Sequence, residues 1–387
     1  MSKAPDPLPP GPDAEAEADA APGTGPDGGR PLRRGWTTGA CATAAARAAC
    51  EALVGGVFPD PVGITLPRGE TPAFALALQE RGDGWARAGV VKDAGDDPDV
   101  THGAMLVVTV RPGGAGSGIV FAAGPGVGTV TRPGLPLAVG EPAVNPVPRR
   151  LIAAVAEAAA AHHRAPPDLR IEVSIPDGAR IAERTWNPRL GIVGGLSVLG
   201  TTGVVVPYSC SAWIHSIQRG IDVARAAGLT HVAACVGHAS ERAARRELHL
   251  DDPALIDMGD FAGGLLGYLR RHPVPRVTLA GGFAKMAKLA AGHLDLHSKR
   301  SQVDVGWLAE RLATLGADDA TLARAAAANT ALEVLRLAQD RGLPLGDAVA
   351  DLACAVARAA LGAAPVALDV LVVDREGERV GFSGAAG

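Results

Sequence analysis

Two rhythms of apolar and polar positions run through this 387-residue chain. The first is short and broken. Alternating or β-rich runs at 63–66, 74–78, 86–91, 105–110 and 119–121, each bounded by Gly, Pro or Asp, predict strands. An alanine-rich run ending at Leu53 precedes them, with Thr37 and Thr38 offering N-caps and Gly55-Gly56 a C-cap, and predicts a helix with a small-residue face. A second helix is expected over 151–163, with Asn145 as its cap and Pro146 in its first turn, followed by a strand at 169–175. Beyond residue 190 helices and strands alternate. Helices are expected at 209–227, 241–248, 261–271 and 284–291, and strands at 231–236, 255–258 and 276–280. Helices at 305–315, 320–339 and 347–361 and a strand at 366–373 complete the pattern. Such alternation builds a parallel sheet that binds ligands at the carboxyl ends of its strands. The fold class expected is therefore α/β in two domains: an N-terminal α+β domain with a mixed sheet over 32–190, and a C-terminal Rossmann-like α/β domain with C-terminal helices over 191–387.

Residues 1–31 are mainly Pro, Gly, Ala, Asp and Glu and read as a disordered acidic leader. The stretch from Thr185 to Pro207 joins the two rhythms. No Lys, Arg, Asp or Glu occurs from Leu190 to Gln218, which raises the question of a membrane span of roughly 20 residues. Glycines at 191, 194, 195, 200 and 203 argue against one helix, since each costs about 1 kcal/mol in a helix interior. Buried backbone in short pieces fits better, as the floor of an interdomain cleft where glycines let a ligand approach.

A formal charge of −4 gives no bulk drive toward nucleic acid, and a 3% aromatic content argues against base-stacking platforms. The five cysteines are scattered without a Cys-x-x-Cys spacing, which points to reduced, cytoplasmic thiols rather than to disulfides or a zinc knuckle. No secretory signal is legible at the N-terminus.

The densest ionisable cluster is Lys92–Gly103, with Asp93, Asp96, Asp97, Asp99 and His102. It matches no calcium-hand spacing, and a polar connecting loop competes evenly with a ligand role. Gly124–Gly134 contains a G-x-G but runs into no helix, so it is no dinucleotide fingerprint. His293 and His297 stand four apart and would share a face if helical, yet the Glu of H-E-x-x-H is missing, and Lys299-Arg300 favour anion binding.

Gly35–Ala42, the Lys92–Gly103 loop, Gly124–Gly134, Asn145–Arg150, Thr185–Pro207 and Gly281–Asp304, in that order, together resemble one family. It is the CbiD family, the S-adenosylmethionine-dependent cobalt-precorrin-5B C(1)-methyltransferases of anaerobic cobalamin biosynthesis. The chain departs from the family pattern at Gly237-His238-Ala239, where a Gly-Asn-x-Gly-like turn is expected, and at Ala40, where Thr or Ser is usual. The resemblance implies a tetrapyrrole substrate with several carboxylate arms that carries its own cobalt, so no protein-held metal is expected. S-adenosyl-L-methionine is the implied co-substrate.

On that reading the helix N-termini at Thr37, Thr38 and Asn145 would meet carboxylate arms, with Arg132, Arg149, Arg189, Lys299 and Arg300 as cationic partners. Thr201, Thr202 and His297 would add polar contacts. Asp93, Asp96 or His102 would accept the proton lost after transfer. Gly237, Ser240, Gly281 and Gly282, at strand ends, would hold the adenosine side. No nucleic-acid or membrane partner is expected, and a homo-oligomer is left open. Two alternatives remain: a metal-dependent hydrolase built on the 93–102 loop, and a non-enzymatic tetrapyrrole-binding protein.

Overall fold

The computed structural model describes residues 30–384, so the leader expected over 1–31 lies outside the described residues except for Arg30 and Pro31. The chain divides into two compact units, Met1–Ala212 and Trp213–Gly387.

In the first unit the alanine-rich run forms helix α1 (Thr38–Gly55), capped by the Thr37 hydroxyl, which accepts from the Ala40 N–H, and ended by Gly56 at φ 83°. Ala40, Ala44, Ala45 and Ala48 are fully covered, because side chains this small let neighbours close in on several sides. Those neighbours are the five-stranded sheet and helix α2 (Pro146–His162). The sheet contains β1 (Leu78–Gly82), β2 (Trp85–Val91), β3 (Met105–Pro112), β4 (Ile119–Ala123) and β5 (Leu169–Ser174) in the spatial order β1-β2-β3-β5-β4. All its pairs are antiparallel except β4 with β5. In β5, Leu169, Ile171 and Val173 are buried while Arg170 is exposed, the period of a strand with one wet face.

The strands expected at 63–66 and 74–78 shrink to the pair Val62–Gly63 and Ala73–Phe74. The edge strand β1 begins only at Leu78 and reads Leu-Gln-Glu-Arg-Gly, which carries no apolar alternation to betray it. A short helix, Gly178–Ala182, was not expected either; it follows Asp177 at φ 60°.

The central stretch is not a helix. Ile192–Val193 pairs antiparallel with Thr129–Val130, Gly195–Leu196 pairs parallel with Gly126–Val127, and Val204–Val205 pairs antiparallel with Gly35–Trp36. These pairings put residue 190, where the rhythm changes, inside the first unit. Among the described residues no helix is long and apolar enough to cross a membrane.

Helix α3 (Cys210–Ala226) leads into the second unit, whose sheet consists of β6 (His231–Cys235), β7 (Leu255–Asp257), β8 (Arg276–Gly282), β9 (Ala367–Val373) and β10 (Arg379–Ser383). Its order is β7-β6-β8-β9-β10, parallel except for the antiparallel edge strand β10. Helix α4 (His238–Leu248) covers one face with Ala243 and Ala244 against Ala233, Cys235 and Leu371. The alternate residues Val232, Ala234, Val277, Leu279 and Val370 join the larger core on the other face. Helices α5 (Ala262–Leu269), α6 (Phe283–Ala290), α7 (Val305–Thr314), α8 (Asp319–Ala326), α9 (Ala331–Asp340) and α10 (Leu345–Leu361) contribute to that core. Burial of both faces explains why these strands read as unbroken apolar runs.

The single helix expected over 320–339 is two, α8 and α9. Thr330 caps the second by accepting from the Glu333 N–H, and Glu333 in turn accepts from the Asn329 N–H.

Candidate functional site

Within the first unit, backbone hydrogen bonds draw the family-like segments together. Trp36 N–H donates to the Asp93 carbonyl at 2.7 Å, Thr37 N–H to Gly203 at 3.0 Å and Gly39 N–H to Leu199 at 2.9 Å. Asn145 N–H donates to Val198 at 2.9 Å, bringing the start of α2 to the same place. Thr37 and Thr38 are buried. The Thr37 hydroxyl caps its own helix, while Thr38 Oγ1 accepts from the Leu199 N–H at 2.9 Å and lies 3.2 Å from its carbonyl. The anion site expected at this helix N-terminus is thus occupied by the chain itself: the Leu199 carbonyl takes the place of a substrate carboxylate.

The glycines correct the expectation further. A Cβ on Gly195 would sit 2.2 Å from the Gly126 carbonyl oxygen, one on Gly200 2.3 Å from Thr37 Oγ1, and one on Gly203 2.5 Å from the Leu66 side chain. Of the five glycines in the stretch only Gly194 faces open space. Their smallness makes room for the chain's own atoms, the Gly126 backbone at Gly195 and the side chains of Arg132, Thr37 and Leu66 at Gly191, Gly200 and Gly203, rather than for a ligand.

The 92–103 loop is wired from within and from the N-terminal arm. Arg33 grips Asp93 with both guanidinium nitrogens, one at 2.9 Å, and these bonds hold the Asp93 carboxyl down at about 2 against the opposing effect of burial. Asp96 accepts from the Arg33 N–H at 2.8 Å and from Arg30 at 3.3 Å. Lys92 is buried and pairs with Asp99 at 2.6 Å, and Asp99 also accepts from Thr101. Burial pushes Asp99 up, but the Lys92 ammonium and Thr101 outweigh it and hold it low. His102 Nδ1 accepts from the Ala94 N–H at 3.1 Å, which assigns the ring proton to Nε2. So placed, His102 offers a hydrogen-bond donor at Nε2, while its Nδ1 lone pair is engaged by Ala94. Asp93, its charge neutralised by Arg33, is a weak base. Two of the three expected proton acceptors are thereby set aside as bases.

Asp97 is different, and residue spacing did not single it out. One carboxylate oxygen accepts from the Tyr208 N–H at 2.8 Å, and Tyr208 itself sits at φ 57°. Burial is the main cause of an upward shift at Asp97; Asp99 adds to it, while Tyr208 and Lys92 oppose it.

The other expected contacts divide sharply. Asn145 stands at the N-cap of α2 without a side-chain cap bond. Arg149 is braced by the carbonyls of Val144 (2.8 Å) and Pro142 (3.0 Å), by Glu141 at 2.8 Å and by the Phe121 ring. It is structural rather than a free anion partner. The Thr202 hydroxyl is turned onto Val204. Arg132 lays its stem on Gly191, and among the described residues no hydrogen bond or ion pair engages its guanidinium. Arg189 stacks on Trp186, while Thr201 is exposed. Val193, Leu199 and Tyr208 are exposed large apolar side chains on or just beyond the same stretch.

In the second unit the chain leaves β6 toward β7 and leaves β8 toward β9 on the opposite side, so strand order reverses between β6 and β8. Gly281 and Gly282, expected in a loop, form the last two residues of β8, and Val236 N–H donates to the Ala280 carbonyl at 2.8 Å, which sets Gly237 beside that strand end at this switch point. Gly237 (φ 83°) and Gly282 both face open space, whereas a Cβ on Gly281 would meet the end of Met286 at 2.5 Å. Ser240 is buried and donates to the Gly237 carbonyl at 2.9 Å, bracing the loop.

His293 and His297 do not share a helix face, because α6 ends at Ala290 and both lie in the loop that follows. His297 Nδ1 accepts from the Lys299 N–H at 3.2 Å, and Arg300 pairs with Asp295 at 3.2 Å. Among the described residues no group of three or more His, Cys, Asp or Glu is arranged to hold a metal ion. A cavity of about 970 Å³ opens at the C-terminal end of α1, beside Arg81, Trp85 and Asp168, the opposite end from the converging segments.

Family models match the chain in two places: CbiD over residues 26–207, and the CbiD C-terminal domain over 295–384. The cobalt-precorrin-5B C(1)-methyltransferase of Paramagnetospirillum magneticum is 70% identical over 350 residues, covering 90% of this chain and 98% of that one. The enzyme of the same name from Rhodospirillum rubrum is 67% identical, covering 92% and 99%, and that of Halorhodospira halophila is 60% identical, covering 95% and 99%. A crystal structure of a cobalamin biosynthesis protein (cbiD) from Archaeoglobus fulgidus is 29% identical, covers 70% of this chain and 84% of that chain, and has a TM-score of 0.39. With relatives this similar matched along nearly their whole length, the chain belongs to the CbiD family.

Proposed function

We propose that this chain is a cobalt-precorrin-5B C(1)-methyltransferase, moving the methyl group of S-adenosyl-L-methionine to carbon 1 of the macrocycle to give cobalt-precorrin-6A in anaerobic cobalamin biosynthesis. The observation that carries this reading is 70% identity extending over 98% of a relative of that name. Methyl transfer is a displacement at a sulfonium carbon by an electron-rich carbon of the substrate, so the protein's contribution is alignment in a dry setting.

The acceptor-side residues of the first unit are Arg132, Arg189 and Thr201, beside the exposed Val193 and Leu199. Those side chains give an apolar surface with cationic points, the chemistry a carboxylate-fringed macrocycle needs. Lys299, Arg300 and His297 are further candidates. The donor belongs beside Gly237 and Ser240 at the start of α4 and Gly281 and Gly282 at the end of β8, on the argument that a Rossmann-like parallel sheet binds ligands at its switch point. Cobalt enters as part of the substrate, and the enzyme works in the cytoplasm. The engagement of Asp93 by Arg33, of Asp96 by the Arg33 N–H and of Asp99 by Lys92 counts against the hydrolase reading.

Incubation of the purified protein with methyl-labelled S-adenosyl-L-methionine and the precorrin-5B-stage intermediate should give a product heavier by one methyl in place of one hydrogen. An unchanged substrate mass would overturn the assignment. For the donor site, Gly282→Asp is the informative change: its φ of −63° suits any residue and its Cβ meets nothing. We expect at least about tenfold weaker donor binding by calorimetry, or about 1.4 kcal/mol. Unaltered affinity would move the donor elsewhere.

A further inference from the structure

We propose that Lys285 and Lys288 are positioning residues: through the Leu296 carbonyl they hold the turn 297–300 ready to receive a carboxylate of the macrocycle. The inference rests on the functional reading above, because that carboxylate is an arm of the proposed substrate.

Lys285 and Lys288 stand three positions apart on α6, so they share a face and lean toward its N-terminus. Their ammonium groups meet at one atom. Lys285 Nζ donates to the Leu296 carbonyl at 3.0 Å and Lys288 Nζ donates to it at 3.1 Å. Lys285 also pairs with Asp260 at 2.5 Å, and the Asp260 carbonyl accepts from the Leu296 N–H at 2.9 Å. The Leu296 side chain is fully buried. Both backbone polar groups of Leu296 are thus tied down, one to α6 and one to the segment after β7.

Lys288 is the costly member. It is 6% exposed, stands in no ion pair among the described residues, and there has the Leu296 carbonyl as its only acceptor. Burial first, and then the Lys285 ammonium, lower its pKa, against the opposing charges of Asp260 and Asp295. A methionine of similar length would fill the same space without the cost of burying a charge. Packing therefore does not account for a lysine here, whereas anchoring a loop does.

The anchored turn carries the ligand chemistry. His297, Ser298, Lys299 and Arg300 are exposed between the buried Leu296 and Ser301. Ser301 closes the turn, its hydroxyl donating to the Asp295 carbonyl at 2.8 Å and its N–H to the His297 carbonyl at 2.9 Å. His297 Nδ1 accepts from the Lys299 N–H, which leaves the ring proton on Nε2. Among the described residues no hydrogen bond or ion pair engages that Nε2 or the Lys299 ammonium. Arg300, paired with Asp295, adds a second cation within the same four residues. Open ammonium and imidazole donors on one short turn suit a carboxylate. Held in place beforehand, they bind it without the cost of ordering a loop.

The test uses the full chain with Lys288→Met. Its KM for the precorrin-5B-stage intermediate should rise at least about tenfold, with kcat and the affinity for S-adenosyl-L-methionine within about threefold of wild type. Backbone hydrogen exchange over 293–301 should quicken by about tenfold or more, while β8 keeps its wild-type protection. Lys299→Met should raise the same KM. The double variant should show less than the product of the two effects, because one change removes a contact that the other has already loosened. Should Lys288→Met melt lower, Lys285→Gln must show the same rise in KM and the same faster exchange. A KM within about threefold of wild type in Lys288→Met, exchange that does not quicken, or two effects that simply multiply overturns the positioning role and leaves the methyltransferase reading intact. Absence of transfer by the wild-type protein overturns both.

Discussion

At the scale of single residues, what a side chain does in this protein is set by who reaches it from far along the chain. Asp93 and Asp97 are four positions apart in one loop, yet one faces Arg33 and the other the Tyr208 backbone. No spacing rule distinguishes them, because both partners come from distant segments. The glycines teach the same lesson. Gly195 is small because the Gly126 carbonyl lies where its Cβ would be, at 2.2 Å. Gly195→Ala should therefore cost about 2 kcal/mol or more in urea unfolding, as overpacking against rigid backbone does. Gly282→Ala, with open space and an ordinary φ, should lie within about 0.5 kcal/mol of wild type. Equal stabilities for the two would show that the first contact is easily relieved.

At the scale of elements, local chemistry was readable wherever it is self-contained. Thr37 at one end of α1 and Gly56 at the other act as the sequence suggests, since a cap needs only neighbours in the same turn. The division of 320–339 is written in the sequence too, since Thr330-Ala331-Leu332-Glu333 has the residues of a capping box. Thr330→Ala should lower stability by about 1 kcal/mol, seen as an earlier thermal or urea midpoint. A change below about 0.3 kcal/mol would mean that α9 starts there for other reasons. The edge strand β1 and the closing strand β10 escaped notice because their pairing rests on backbone bonds to a neighbour rather than on their own apolar rhythm.

At the scale of the whole molecule, stability should carry the signature of groups whose protonation differs between folded and unfolded chains, His231 and Asp93 among them. His231, at the start of β6, contacts the Thr278 hydroxyl at 2.8 Å, and that hydroxyl reaches the buried Asp369, itself paired with Arg276 at 2.6 Å. Burial first, and then the Arg276 charge, lower the His231 pKa below its ordinary value near 6.5. The unfolded chain then binds more protons than the folded one below that value. The His231 contribution is complete above about pH 6.5 and is lost as pH falls toward the folded pKa. Asp93 behaves as a paired carboxylate: its contribution is complete above an ordinary aspartate value and is lost as pH falls toward about 2. Urea midpoints measured from pH 8 to pH 3 should decline in two stages, and His231→Asn should shrink the upper one, to which His272, also lowered chiefly by burial, contributes. An upper stage undiminished in that variant would assign it wholly to other groups.

The sequence by itself determined the family, the caps of α1, the apolar strand runs of the second unit and the broken character of the central stretch. Each of these depends on residue types and local spacing, which the linear chain contains in full. Only the tertiary structure decided which donors and acceptors remain open. Thr37, Thr38, Arg149 and His102 carry the right chemistry for a ligand, but the folded chain itself engages their polar groups. Arg132 and the second oxygen of Asp97 are among the groups it leaves open. The reason is that hydrogen-bonding capacity is a property of a residue, whereas its availability depends on partners that only the fold brings within reach.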